Sequence, residues 1–450
     1  MEMILEFLRD VLSQPALLIG IMSCVGLIAL KRPFHKIMTG TLKPILGYLM
    51  LAAGAGVIVS NLDPLGKMIE HGFHITGVVP NNEAIVAVAQ KVLGVETMSI
   101  LVVGLLMNLL IARFTKFKYV FLTGHHSLFM ACLMSAVLGT AGLSGIELIL
   151  VGGFLMGAWS AISPAIGQSY TSKVTDGDEI ALGHFGSLGY YLSAWVAKYV
   201  GKAEESTEDI EIPEKWGFLR DSTLSTALTM IVFYLIAAIA AGSEFVATLS
   251  GSMSPYLFAV MSAMNFAVGV AIVYSGVRMI LGDLIPAFQG IATKIIPNAI
   301  PAVDCAVFFT YAPTAVVLGF ISSFIGGIIG MLILGAVGGV LIIPGLVPHF
   351  FCGATAGIYG NATGGRRGAA VGAFLNGLAI TFLPALALPV LGQLGFQNTT
   401  FGDADLAVIG LVLGNAFEWI GMAGIYGVVV IAALVLIIPN FIKTKGKVIN

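Results

Sequence analysis

Three stretches of this sequence set ionisable side chains among apolar neighbours. Asp304 lies in Ile300-Pro-Ala-Val-Asp304-Cys-Ala-Val-Phe-Phe309, an apolar run opened by Pro297 and Pro301. His125 and His126 lie in Leu122-Thr-Gly-His125-His126-Ser-Leu-Phe-Met130, and His184 follows Gly183. Imidazoles and a carboxylate together can hold a small hydroxylated or acidic molecule by hydrogen bonds, or relay a proton. An ionisable group at membrane depth costs about 2.5–3.5 kcal/mol on insertion scales, so Asp304 reads as a substrate or proton site, with simple helix packing as the plainer alternative. Either of the paired histidines can instead face cytoplasmic water, and His184 by position alone reads as a surface histidine. His349, just after Pro348, reads as an ordinary loop histidine or as the opening of a broken helix. The acids Asp176, Asp178 and Glu179 lack the alternating oxygen ligands and distal Glu of a calcium loop, and read as a solvated turn.

Other chemistries find no residues here. The four cysteines (Cys24, Cys132, Cys305, Cys352) are far apart in apolar stretches, with no CxxC pair and no Cys/His metal spacing, so they read as small core residues. There is no P-loop, Ser/His/Asp set or Gly-rich nucleotide fingerprint, which argues against ATP-driven transport by this chain alone. No metal or cofactor is expected. A net charge of −2 offers no basic footprint for nucleic acid.

The elements that must position these residues are membrane helices. Charged residues make up 10% and hydrophobic ones 58%, with mean hydropathy +0.97, against roughly 25% charged in a soluble domain. The fold class is an all-α polytopic membrane protein. Apolar runs long enough to span about 30 Å of hydrocarbon lie near 15–30, 44–62, 97–112, 119–142, 146–166, 223–243, 255–277, 303–323, 326–345, 369–391 and 420–441, which makes eleven. The stretch 278–302 is too polar to span simply and reads as re-entrant, as does Gly-rich 346–368. The 56 glycines suit close helix contacts and broken helices.

Basic residues then set the orientation. Lys31, Arg32, Lys36 and Lys43 between the first two spans, Arg113, Lys116 and Lys118 after the third, Arg366 and Arg367 before the tenth, and Lys443, Lys445 and Lys447 at the end all fall on one side. Asp403, Asp405 and Glu418 lack basic partners and mark the other side. The N-terminus is therefore expected outside and the C-terminus inside, and the acidic start (Glu2, Glu6, Asp10) does not read as a secretory signal. Residues 63–96 form an external loop with a helical apolar pattern at Ile85, Val86, Val88 and Val92. Residues 167–222 form a cytoplasmic loop whose segment Phe185–Val200 reads as an amphipathic helix lying in the interface. Its acidic run Glu204–Glu214 reads as solvated.

Physical reasoning thus reaches a transporter or channel with polar groups at broken helices, and isolated polar residues fit a transporter better than a continuously lined channel. Several strings resemble the ascorbate-type membrane component, EIIC, of the bacterial phosphoenolpyruvate:sugar phosphotransferase system. These are Val174-Thr-Asp-Gly177 with Gly183-His184, Leu122-Thr-Gly-His125, Ile300–Pro313, Leu341-Ile-Ile-Pro-Gly-Leu-Val-Pro348 and Lys202-Ala-Glu-Glu-Ser-Thr-Glu-Asp209, in the family's order over nearly the whole chain. The resemblance implies one EIIC unit over 1–450 in the bacterial cytoplasmic membrane, with no soluble EIIA or EIIB domain of its own. It implies eleven spans with inverted repeats, a homodimer, and a core that moves against a V-shaped dimerisation region. It further implies separate EIIA and EIIB proteins, the latter phosphorylating the cargo at the cytoplasmic face.

The family's substrate histidines fall on His125 and His184, and its intramembrane aspartate on Asp304. The resemblance also nominates Phe129 and Phe185, where the family has Gln, and Asn82 and Glu83, where it has Thr-Tyr. Thr355 completes the candidate set. A Ser and a Gln of the second span become Ala55 and Ala52. Each buried hydroxyl left unpaired costs about 1–3 kcal/mol, so the expected cargo is ascorbate or a related sugar acid, sugar or polyol with altered contacts. The alternative is an ion-coupled secondary transporter with Asp304 and His125 as proton relay.

Overall fold

The structure, a computed structural model, describes residues 11, 14–74, 77, 78, 80, 82–177, 179–210, 222–392 and 400–441. The chain is mostly helical: α1 (Pro15–Ala29), α2 (Phe34–Phe73), α3 (Asn82–Phe114), α4 (Gly124–Thr140), α5 (Gly145–Thr175), α6 (Ser187–Val200), α7 (Ser222–Ala241), α8 (Ser243–Ser250), α9 (Pro255–Lys294), α10 (Pro313–Ala336), α11 (Leu346–Gly392), α12 (Ala404–Ile420) and α13 (Met422–Phe441). Among the described residues three short strands interrupt it, β1 (Tyr119–Phe121), β2 (Ala181–Leu182) and β3 (Ile300–Val303). Among the described residues seven helices are long and apolar enough to cross a membrane, or eight if α7 and α8, bent by 117° at Gly242, act as one span. Many of their large apolar side chains point outward, among them Leu42, Leu46 and Leu49 of α2 and Ile431, Leu434 and Ile438 of α13, as lipid-facing helices require. Cys132, Cys305 and Cys352 are buried and all four cysteines are free thiols.

Small residues bring the long helices together. Along α2 and α9, which cross antiparallel, Gly47 lies opposite Gly276 and Gly54 opposite Gly269, seven residues apart on both helices. A Cβ on Gly276 would sit 2.6 Å from the carbonyl oxygen of Gly47, so the backbones touch. Gly26 of α1 meets Gly290 of α9 in the same way, and Gly319 of α10 meets Gly353 and Gly357 of α11. Such contact maximises dispersion and brings in no bulky side chain. Between these pairs lies an aromatic core in which Phe266, Phe309 and Phe320 surround Phe350 edge-on.

Several expected boundaries move. The stretch 278–302 does not re-enter: α9 continues through Pro286 to Lys294, its backbone held against α1 and its Asp283 paired with Lys43 at 3.5 Å. The expected spans 303–323 and 326–345 resolve into the single helix α10. Ahead of it run β3 and a 3-10 turn, Cys305–Thr310; after it the chain leaves the helix at Gly338 (φ 72°) and pairs with Val78 through Leu341 and Ile343. Hydropathy cannot mark that division, because irregular backbone buried inside the protein is as apolar as the helix beside it. The expected span 119–142 likewise begins as strand β1 and becomes helix only at Gly124.

The external loop 63–96 shrinks to a short connection, because α2 persists to Phe73 and α3 begins at Asn82. The stretch 346–368, read as re-entrant, forms the first part of α11, which departs from helical geometry at Gly364 and Gly365. Gly365 has φ 59°, and a Cβ there would meet the carbonyl oxygens of Lys202 and Glu205 at 2.2 and 2.4 Å. Helix α12 was not expected at all; its apolar run is only 17 residues long.

Segment 167–222 holds more helix than a loop, and its expected amphipathic helix is α6. Helix α5 runs on to Thr175, and α6 buries Tyr190, Ala194 and Ala197 against α11, where Gly364, Gly368 and Gly372 let it approach. Only its outer face, with Trp195 and Tyr199, stays exposed. Nor is the acidic run simply solvated, since Glu208 accepts the N–H groups of Thr314 and Ala315 and so caps α10; residues 211–214 lie outside the described residues. So do Asp178 and the terminal charges at 2, 6, 9, 10, 443, 445 and 447.

Replacing Gly276 by Leu should separate α2 from α9 at a cost of about 1–3 kcal/mol, the usual range for overpacking. Thermal unfolding of the purified protein should show a lowered midpoint. Gly56→Ala, with nothing within 4 Å of the new Cβ, should melt as the parent does.

Candidate functional site

The three strands form one parallel sheet in the order β1-β3-β2. Phe121 pairs with Ala302 and Leu182 with Val303. Two further bonds extend the pairing, from Leu122 N–H to the Ala302 carbonyl (2.9 Å) and from Gly183 N–H to the Val303 carbonyl (2.7 Å). Backbone outside a helix needs such partners when buried. Because the strands are parallel, their C-terminal ends share one edge. Asp304 directly follows β3, His184 follows β2 after Gly183, and His125 and His126 open α4 just after β1. Residues separated by 179 positions in the chain are thereby delivered to one place.

That edge is the floor of a chamber of about 1120 Å³. His125, His126, Phe129, His184, Asp304, Cys305, Cys352, Asp403, Asn82 and Tyr48 line its inner part. Helices α2, α7 and α10 and the segment Ile343–Val347 wall the outer part, and Asp63 and Lys67, whose side chains are more than half exposed, mark its solvent-open end or mouth, with Glu70 nearby on α2.

At the floor Asp304 holds the start of the 3-10 turn through the Ala306 N–H (3.2 Å), and its other carboxylate oxygen lies 3.3 Å from His125 Nε2. His125 Nδ1 is 3.3 Å from the Tyr48 hydroxyl. Asp304 is 8% exposed, whereas the His125 side chain is 37% exposed and meets the cavity. His126 and His184 are buried with ring centroids 3.8 Å apart. His184 Nδ1 accepts the Gly186 N–H and lies within bonding distance of the Tyr190 hydroxyl, both at 3.0 Å. His126 Nδ1 accepts the Phe185 N–H at 3.4 Å.

Asp403 completes this cluster. Its Oδ1 lies 3.7 Å from His184 Nδ1 and accepts the Cys352 thiol at 3.2 Å, and its Oδ2 accepts the Asn82 amide at 2.6 Å. Asn82 in turn accepts the Gly402 N–H, which pins α3 to the start of α12. Two residues on, Asp405 is wholly buried and accepts from Ser187 Oγ (2.7 Å), Leu188 N–H (2.8 Å) and Trp159 Nε1 (3.1 Å). It caps the N-terminus of α6, where a carboxylate is favoured by the helix dipole, and so anchors the turn that carries His184. Asp403 and Asp405 are therefore not external loop acids, and the orientation rests on the basic residues alone.

Of the candidates from sequence, His125, His184, Asp304, Phe129 and Asn82 share this chamber. Phe185 does not line it: the ring is fully buried and stacks on Phe121 with centroids 4.7 Å apart. Thr355 is also buried away from it, donating to the Phe351 carbonyl. The Glu83 side chain lies outside the described residues. His184 is buried, and no surface histidine. His349 is buried too, bonded to Ser323 Oγ at 2.9 Å, but outside the chamber lining. Tyr48, Cys352 and Asp403 join the site without a sequence signal of their own, although Gly402-Asp-Ala-Asp405 just before an apolar run could have hinted at the last.

His126, His184 and Asp403 have ligand atoms within 4.8 Å of one another, as do His184, Asp304 and Cys305. A metal would have to displace backbone donors already bonded to both Nδ1 atoms, so the arrangement works as a hydrogen-bonding network. It offers acceptors and donors to a small polar molecule and contains no activated nucleophile with its own base.

Among the described residues, fold and site together give a membrane-helix protein with a polar-floored chamber among its apolar helices. The family of PTS system sugar-specific permease components, EIIC-GAT, matches residues 10–405, and the chain belongs to that family. The "Ascorbate-specific PTS system EIIC component" of Mycoplasma pneumoniae (strain ATCC 29342 / M129 / Subtype 1) is 26% identical over 474 aligned positions, covering 92% of this chain and 70% of that relative.

A Cβ on Gly183 would lie 2.5 Å from the Ala302 carbonyl oxygen. Gly183→Ala should therefore push β2 off β3 and carry His184 away from Asp304. The expected result is at least a tenfold loss of uptake with normal amounts of protein in the membrane. Gly177→Ala, with open space around it, should transport normally.

Proposed function

We propose that this chain is the translocating EIIC subunit for ascorbate or a related sugar acid, sugar or polyol, coupled to phosphorylation by a separate EIIB. The observation that carries the proposal is the meeting of His125, His184 and Asp304 at the floor of one chamber. Sequence resemblance nominates the same three residues as substrate contacts. Family membership supports the phosphotransferase coupling, and the relative's name supports an ascorbate-like cargo.

The route follows from the walls. The chamber mouth lies at the C-terminal end of α2, remote from that helix's basic end at Lys36 and Lys43. Under the positive-inside rule the mouth faces outside, the N-terminus lies outside and the C-terminus inside. Cargo would enter from the mouth, bind at the floor and be carried inward by movement of a core, with EIIB phosphorylating it at the cytoplasmic face of a bacterial membrane. A charged ester cannot return through hydrocarbon, which makes uptake one-way. Packing supports a division into two bodies: α1, α2, α7, α8 and α9 pack mainly on one another, as do α6, α10 and α11. The first would form the V-shaped dimerisation region of a homodimer, and the second, with the strands, part of the moving core. An eleven-span count with inverted repeats would take in the 17-residue helices α4 and α12 and both halves of α11.

The 3.3 Å approach of His125 to Asp304 also suits a proton relay, the basis of an ion-coupled reading. The two part cleanly. Membranes supplied with the cognate EIIB and phosphoenolpyruvate should phosphorylate the cargo, and uptake should vanish when the general phosphotransferase proteins are deleted; uptake that survives deletion favours ion coupling. Asp304→Asn should lower uptake about 10- to 150-fold, the loss of a hydrogen bond to a charged group worth about 1.5–3 kcal/mol, with protein levels retained. Unaltered uptake would leave Asp304 a structural cap.

A further inference from the structure

On the permease reading above, an empty carrier needs something to hold its floor in place until cargo arrives. We propose that Tyr48 is the positioning residue that does so: its hydroxyl latches His125 to α2, and cargo frees the floor by taking the phenol's place on the ring.

Tyr48 follows Lys43 near the basic end of α2. Its neighbour Gly47 packs on α9, where an added Cβ would sit 2.9 Å from backbone atoms of Gly276 and Ile280, so the backbone that carries Tyr48 is fixed to that helix. The Tyr48 side chain is buried, lines the inner chamber and brings its hydroxyl to 3.3 Å from His125 Nδ1. Between Tyr48 and the charged residues of the mouth, α2 offers the chamber only Leu51, Ala52, Val59 and Leu62. Among the described lining residues the phenol is thus the one polar group that α2 brings to the floor.

His125 belongs to a different set of helices. It opens α4, which packs on α3 and α5, and the strand before it is bonded to β3. The backbones of α2 and α4 scarcely approach each other, so the bond crosses a seam between two separately packed groups.

The latch does not depend on the charge of the ring. A phenol both donates and accepts, so it serves Nδ1 whether or not that nitrogen carries a hydrogen. Nε2 faces Asp304 at 3.3 Å and Nδ1 faces Tyr48, so both nitrogens of the empty ring are engaged, although the side chain is 37% exposed. A cargo hydroxyl that bonds Nδ1 must displace the phenol. The 3.3 Å contact lies beyond the usual span of about 2.7–3.2 Å, which makes it a bond that cargo can replace.

Without cargo, drawing His125 away from α2 leaves Nδ1 and the phenol hydroxyl unpaired in apolar surroundings, and that opposes the movement. With cargo on the ring the phenol is already released. A ligand shifts such an equilibrium only through a contact that differs between the two states, and this is one. Under the positive-inside rule Tyr48 stands at the cytoplasmic end of the chamber, the side through which cargo leaves.

The native thiols Cys305 and Cys352, which line the chamber, report the movement with no cargo present. A membrane-impermeant cationic methanethiosulfonate is applied to the full-length protein in inside-out and in right-side-out vesicles, and mass spectrometry of the peptides gives the labelling rate of each thiol. Tyr48→Phe, which keeps the ring and removes the hydroxyl, should raise labelling from the cytoplasmic side at least threefold, with the outside rate unchanged or lower. His125→Phe breaks the same bond from its other end, should show the same one-sided rise, and serves if Tyr48→Phe fails to fold. The double variant should be no faster than either single one. An unchanged cytoplasmic rate, or a rise from both sides alike as a loosened floor would give, overturns the latch and leaves the permease reading standing. No labelling from the cytoplasmic side in any form, with normal labelling from outside, overturns both.

Discussion

Backbone that leaves a helix inside an apolar protein must find partners for its N–H and C=O groups, each of which costs free energy when buried alone. In this chain the requirement is met by a sheet of three short parallel strands. Everything at the site depends on that pairing. Parallel strands end on the same edge, and each of these ends is followed within a few residues by one of the polar side chains of the chamber floor. A helix passing straight through would leave Asp304, His184 and His125 far from one another.

A second layer of contacts holds the ends of the strands still. Asp405 caps α6 and bonds Trp159 of α5, Asn82 joins α3 to Asp403, and Tyr190 reaches back from α6 to His184. Asp405, Tyr190 and His184 are buried and Asn82 and Trp159 partly so, and each is paired, the condition under which a polar network adds rigidity and does not become a liability. The lysines and arginines stay out of it. Lys67, paired with Asp63, is the only lysine or arginine among the described residues that line the chamber, and the network at its floor is built from carboxylates, imidazoles, an amide and a thiol.

The glycine pairs serve a different end. Contacts such as Gly47 with Gly276 and Gly319 with Gly357 let helices lie backbone to backbone with no side chain to interlock. Surfaces of this kind can be rigid within a body and smooth between bodies. The helices divide by their partners: α2 engages α9, while α11 engages α6 and α10.

Much of this protein could be read from its residues in order. Composition alone dictates membrane helices, because a chain with so few charges has no other way to hide its apolar surface. Asp304, His125 and the Gly-rich stretch 346–368 stand out because polar or flexible residues interrupt long apolar runs. Other features lie beyond local pattern. Asp403 and Asp405 resemble any loop acids until α3, α5 and α6 are packed around them, and Phe185 looks like a pocket residue until Phe121 covers it. The division of 303–345 into turn, helix and extended chain was equally hidden, since hydropathy records only whether a residue avoids water. It does not record whether lipid or protein surrounds it. Burial within protein, and the hydrogen bonds it forces on nearby polar groups, is a property of chain segments brought together from afar, and the tertiary structure alone decides it.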